Sequence, residues 1–316
     1  ASRFTLLPPP STLPAPPPMP SSPRARGTLI ALAGTTAWAT TGIFISYLLT
    51  RYPLQPLTLA FWRDLLVAGT LLLALRLRQP AALRLRRADL PFFIGYGFIG
   101  LAVFNGLWTY SVKFNGAAVA TVLAYSSPAF TVLLARLVLR ESLSARKLAA
   151  VALSLIGCVL VAKANTPEAW QVNPAGILTG LGTGLAFAGY SLGGRWSSSR
   201  FASSWTVTAY GFLFAALGLS LTQSPRTLFT LGTHWQGWAV LALLAIGPTV
   251  AGFGLYTLSL RYLQAGVAGL IASLEPALTA VMAIFLLGES LSRAQWGGAG
   301  LILLAVVIVQ TAAPGE

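Results

Sequence analysis

Ten stretches of this chain are each apolar over roughly the length a bilayer crossing demands, and no single globular core can hide them all. The hydrocarbon core of a membrane is roughly 30 Å thick and a helix rises about 1.5 Å per residue, so a crossing takes about 20 mostly apolar residues. The stretches run from Gly27 to Leu49, Leu57 to Leu77, Leu90 to Ser111, Ala117 to Leu139, Lys147 to Ala162, Pro174 to Arg195, Ser204 to Leu221, Trp238 to Leu260, Ala265 to Leu287 and Gln295 to Ala312. Composition agrees: 55% of the 316 residues are hydrophobic and 9% charged, against roughly 25% charged in soluble domains. The expected fold class is all-α and integral to a membrane, with ten transmembrane helices.

A formal charge of +14 suggests nucleic-acid binding at first sight, yet the basic residues punctuate hydrophobic runs instead of lining a polar face. They read better as orientation signals. With the N-terminus inside, fifteen of the 21 Lys and Arg fall in cytoplasmic segments, five in external ones, and Arg63 lies within a helix. Both termini are therefore expected on the cytoplasmic side. Residues 1–26, rich in Pro and Ser and without an apolar core of signal-peptide length, are expected to form a disordered cytoplasmic tail.

The single cysteine, Cys158, sits in an apolar run, and the single histidine, His234, in a polar connection. Neither a disulfide framework nor a Cys/His metal cluster is available, and the sequence calls for no cofactor. An intramembrane enzyme would need a nucleophile beside a base, or a metal cluster; no Ser-His pair, HExxH or paired aspartates occur. The sequence therefore names no catalytic residue.

The second half repeats the first. SVKFNGAAVATVLAYSSPAFTVLLARLVLRESLS from Ser111 aligns without a gap on SLRYLQAGVAGLIASLEPALTAVMAIFLLGESLS from Ser259, an offset of 148. Leu107-Trp108-Thr109 matches Leu255-Tyr256-Thr257 at that offset, and Ala37-Trp38-Ala39 resembles Ala186-Phe187-Ala188 one residue out of phase. Residues 27–163 and 174–312 are expected to be two five-helix repeats. Because five is odd, the second enters the membrane from the opposite side, and such an inverted repeat builds alternating access into the fold.

This pattern resembles the drug/metabolite transporter superfamily, and within it the EamA type with two tandem five-helix domains. The residues that carry the resemblance are Phe61-Trp62-Arg63-Asp64, the segments Pro128 to Glu141 and Pro276 to Glu289, and the dipeptide Glu275-Pro276. It implies a ten-helix bundle around a central cavity lined by both halves, amino acids, other metabolites or drugs as substrates, and a bacterial inner membrane as location.

Within the membrane, Glu275 must be protonated, paired or facing water, because a bare charge at that depth costs several kcal/mol. On a helical wheel it shares a stripe with Ala268, Ala272 and Thr279, and its repeat partner is Ser127. It is a candidate for binding a substrate ammonium or for proton coupling; a carboxyl bonded to a backbone carbonyl is the bland alternative. Pro128 and Pro276 each remove a helical N–H and free the carbonyls of Ala124 and Ala272, marking kinks that shape the cavity or serve packing. Arg63 and Asp64 are intramembrane charges, in a structural ion pair or at the substrate; adjacent helical positions point about 100° apart, so they are expected to use different partners. Trp38, Trp108, Tyr125, Tyr190 and Tyr256 lie deep on helices that the resemblance places around the cavity, with Asn105 among their polar companions. Most of Trp62, Trp170, Trp205, Trp235, Trp238 and Trp296 fall near predicted helix ends as interfacial anchors. Glu141 and Glu289 close the two fourth helices and are expected to anchor the following turns.

The reading is a secondary transporter that exports small metabolites, amino acids or aromatic compounds, by alternating access across the inner membrane. Its partners are a small-molecule substrate and the lipid bilayer, protons are the candidate coupling ion, and a monomer is compatible with the sequence. An exchanger of phosphorylated or nucleotide-linked sugars is the alternative, although it needs several intramembrane cations where only Arg63 is available. A non-transporting membrane receptor or scaffold is the alternative from a different class.

Overall fold

The computed structural model describes residues 23–166, 173–287 and 291–311. Among the described residues there is no strand. Leaving aside short turns of helix at Pro80–Leu83 and Pro225–Leu228, ten longer helical stretches follow in order among the described residues: α1 (Pro23–Arg51), α2 (Pro56–Arg78), α3 (Arg87–Asn115), α4 (Val119–Val138), α5 (Ala145–Val161), α6 (Pro174–Ser198), α7 (Ser204–Ser220), α8 (Trp235–Ser259), α9 (Ala265–Met282) and α10 (Arg293–Gln310). The last helical segment of α9 runs on to Leu287. Eight of the ten are long and apolar enough to cross a membrane; α5 and α7, at 17 residues each, reach about 26 Å at 1.5 Å per residue.

Local sequence sets many of the helix starts. Ser144, Ser203 and Asn173 cap α5, α7 and α6 through their side chains, and Ser292 with Gln295 forms a reciprocal capping box on α10. Proline takes a first-turn position in α2 and α6, where its missing N–H costs nothing. Two expectations change here. Helix α1 already begins at Pro23, so residues 23–26 belong to it and not to the tail; the Arg24 guanidinium donates to Val309 O (2.8 Å), which holds that first turn on α10. The connection expected at 112–116 is helical in backbone but not straight. Ser111 Oγ and Leu123 Cβ both lie under 3 Å from the point where a Gly180 side chain would start, so the chain folds back between them. The remaining tail, Trp170, Glu289 and Ala312 lie outside the described residues.

The two halves interlock. Equivalent helices pack on each other, α2 on α7 and α5 on α10, while α1 lies along α8 and α6 along the folded-back α3–α4 unit. The reciprocity extends to single bonds made by repeat partners. Thr58 and Trp62 on α2 donate to Gln223 Oε1 and Leu228 O in the second half; Thr206 and Tyr210, at the equivalent places on α7, donate to Ala82 O and Leu83 O in the first. Both third helices contain a π-helical stretch at equivalent positions, Phe98–Val103 and Ala245–Thr249. Both fourth helices break, at Tyr125-Ser126 and at Ser273-Leu274. Small residues let the rods approach: a Cβ added at Gly157 would lie 2.7 Å from Gly298 O, and one at Gly298 would lie 2.6 Å from Gly157 O.

Candidate functional site

Between the halves lies a cavity of about 220 Å³. Helix α1 contributes Trp38, Thr41 and Ile45; α2 gives Arg63; α3 gives Phe104, Asn105 and Trp108; and α4 gives Thr121, Ala124, Tyr125 and Ser127. The second half supplies Phe187, Phe253, Gly269, Ala272, Ser273 and Glu275.

The helix breaks bring the polar groups here. Pro128 has no N–H to return to Ala124, nor has Pro276 one for Ala272, and both alanines line the cavity. Ser127 and Glu275 then open the second segments of α4 and α9. Glu275 thus sits in the first turn of a half-helix, where the backbone dipole favours a carboxylate, and Tyr125 shares the cavity lining with it. The stripe that the helical wheel assigns to Glu275 is interrupted by this break. Ala272 lines the cavity with it, whereas Ala268 is fully buried in the core and the Thr279 hydroxyl donates to Ala39 O (3.0 Å).

Arg63 and Asp64 do not use different partners. Arg63 Nε and Nη2 donate to Asp64 Oδ1 at 3.1 and 3.0 Å, because the long Arg side chain curls back across the 100° between neighbouring positions. Asn105 closes the network: its Oδ1 accepts from Arg63 (3.2 Å) and its Nδ2 donates to Asp64 Oδ2 (3.3 Å). All three are buried, so the two guanidinium bonds to Asp64 Oδ1 and the amide satisfy charges that lipid would not. Arg63 reaches the cavity wall already neutralised. Glu275 has no ion-pair partner among the described residues.

The apolar wall is aromatic. Trp38 packs edge-on against Phe253 at 4.7 Å and near Tyr256 at 5.1 Å and Phe187 at 6.0 Å. Tyr190 and Tyr256 stand behind this wall, fully buried; Tyr190 is bonded to Thr257 and Tyr256 to Ser191. The structure therefore brings Trp38, Asn105, Trp108, Tyr125, Ser127 and Glu275 to one surface and leaves the two tyrosines in the packing beside it. Reading the sequence did not single out Phe104, Phe187 or Phe253. The signal was available for two of them: Phe187 is the repeat partner of Trp38 and Phe253 that of Asn105.

His234 is exposed at a loop and packs beside Tyr52, and Cys158 is buried. No group of three or more His, Cys, Asp or Glu able to hold a metal occurs among the described residues.

A family model described as the EamA-like transporter family matches residues 25–163 and again 174–311. An uncharacterized inner membrane transporter of Salmonella typhimurium, YicL, is 26% identical over 90% of this chain and 95% of its own length. An uncharacterized transporter of Bacillus subtilis, YwfM, is 26% identical over 90% of this chain and 93% of its own. A solved structure titled only as the crystal structure of a protein superposes with a TM-score of 0.73 at 20% identity, covering 90% of this chain and 97% of that one, which speaks for the fold alone.

Proposed function

The chain belongs to the EamA-like transporter family, a multi-pass membrane transporter of small molecules, and from that premise we propose that it exports small amphipathic metabolites, amino acids or aromatic compounds. The observation that supports this reading is the cavity between the halves, walled by aromatic rings and holding one carboxyl without a counter-ion among the described residues. Its volume of about 220 Å³ falls below the roughly 300–1,000 Å³ of pockets for drug-sized ligands, which favours metabolites over drugs. Glu275, with Tyr125 beside it, takes a substrate ammonium or a proton in turn. Trp38, Trp108, Phe187 and Phe253 offer ring faces to the apolar or cationic part of the cargo. Asn105 and Ser127 add hydrogen-bonding groups, and the breaks at Pro128 and Pro276 let the two fourth helices bend as the halves rock. All ten helices cross the membrane with both termini cytoplasmic.

Phosphorylated cargo fits poorly. Arg63 is the sole cation on the cavity wall among the described residues, and Asp64 already holds it.

The test is release of a mixed pool of amino acids and aromatic metabolites from proteoliposomes, measured by mass spectrometry against empty vesicles and Glu275→Gln. Selective depletion by the wild type, lost in the variant, is the expected outcome. Indifference to an imposed pH gradient would reject proton coupling, and retained export in Glu275→Gln would remove the carboxyl from the mechanism.

A further inference from the structure

The repeat relates most of the cavity wall to itself. Twelve of the seventeen lining residues form six pairs of repeat partners: Trp38 with Phe187, Asn105 with Phe253, Thr121 with Gly269, Ala124 with Ala272, Tyr125 with Ser273, and Ser127 with Glu275. The other five, Thr41, Ile45, Arg63, Phe104 and Trp108, line it without their partners. Those partners are Tyr190, Gly194, Gly211, Gly252 and Tyr256, and every one is buried.

They also lie together. Tyr96 fills the space in front of them, its ring stacked on Tyr190 at 4.7 Å, against Gly211, and its hydroxyl 3.3 Å from where a Gly194 side chain would start. The Trp38 indole lies across Gly252, close enough that no larger residue fits there. Two of the few buried polar atoms without a hydrogen bond are in this cluster, Trp38 Nε1 and Tyr96 Oη, the latter beside Tyr190 and Thr257 without hydrogen-bond geometry. An unsatisfied donor buried at membrane depth is costly, and opening this region to water would satisfy both.

At the same end of the bundle the halves are tied by polar contacts. Arg140, with φ 56°, turns the chain after α4 so that the Glu141 carboxylate accepts from Ala265 N (3.2 Å) at the start of α9 and lies 4.0 Å from Arg195. Arg195 in turn donates to Leu260 O, and Lys147 Nζ donates to Gln264 Oε1 (2.7 Å). Of these contacts, the Lys147–Gln264 bond has no counterpart in sequence at the opposite end, because the repeat partner of Lys147 is Gln295 and that of Gln264 is Gly116, whereas Glu141 is matched by Glu289.

We propose that Tyr190, Gly194, Gly211, Gly252 and Tyr256 form the vestibule of the opposite-facing state, plugged here by Tyr96, and that the Glu141 and Lys147–Gln264 contacts latch it shut. The idea rests on the transport reading, but its test reads side-chain accessibility and needs no substrate, so a failure of either is distinguishable from a failure of the other. In a Cys158→Ser background, Ile45→Cys, on the partly exposed cavity wall, reports on the open vestibule and Ser191→Cys, bonded to Tyr256, on the closed one. A membrane-impermeant maleimide is added to right-side-out and to inside-out vesicles. Ile45→Cys labels from one side only, and Ser191→Cys is protected from both. Adding Glu141→Gln or, separately, Gln264→Ala raises labelling at Ser191→Cys from the other side by about tenfold and lowers it at Ile45→Cys, the effect of losing one charge-assisted hydrogen bond. No change in either latch variant overturns the proposal. So does a rise at Ser191→Cys without the fall at Ile45→Cys, which would signal local loosening and not a switch.

Discussion

Asp64 is fully buried in an otherwise apolar bundle, and what makes it tolerable is local: a guanidinium one residue away and an amide on the next helix. Removing one member of such a pair leaves the other charge stranded. Asp64→Asn is expected to lower stability in detergent by about 3 kcal/mol, read from thermal unfolding, whereas Asn105→Ala, which leaves the ion pair standing, should cost about 1–2 kcal/mol. Equal losses would mean that the amide and not the charge pair holds the site together. The sequence placed both charges inside an apolar run long enough to cross a membrane, since hydropathy alone puts Arg63 and Asp64 there. It did not show that they pair, because backbone direction separates neighbouring side chains and only a long, flexible Arg can bridge that angle.

Helix ends show the same division. The sequence already contains the signals for a cap at Ser144, a capping box at Ser292 and breaks before Pro128 and Pro276, because these depend on residues within one turn of each other. The end of α4 is less economical. Arg140 takes a left-handed conformation that costs an L-residue roughly 1–2 kcal/mol, and the equivalent position of the second repeat is Gly288. Arg140→Gly is therefore expected to stabilise the protein by about 1 kcal/mol in thermal unfolding. A loss of stability instead would assign the guanidinium a contact that outweighs the strain. The break in α9 has a further effect: it turns the register between Ala268 and Glu275, so a wheel drawn through a continuous helix puts Ala268 and Thr279 on a surface they do not share with the carboxyl.

The whole molecule depends on close approach between halves. Gly157 on α5 and Gly298 on α10 meet backbone to backbone, and a side chain at either would strike the carbonyl of the other. Gly298→Leu should separate this pair and cost about 1–3 kcal/mol, seen as a lower unfolding temperature, while Gly300→Leu on the same helix, with open space around it, should change little. Comparable effects at both positions would argue that helix propensity and not packing governs α10. The same closeness between α1 and α8, where Trp38 crosses Gly252, brings the aromatic wall into one cluster.

The number of apolar runs, the repeat and its offset, and the break points are all properties of composition and local order along the chain, so the sequence by itself determined them. Which residues meet in the cavity was decided by tertiary structure. In a soluble helix a polar face marks the outside and the apolar stripe the core, but a helix in lipid is apolar all round, and periodicity no longer says which side faces a neighbour. For that reason Trp38 and Tyr256, alike in the sequence as deep aromatics, end on different sides of one wall. Only the packing of α1 against α8 distinguishes them.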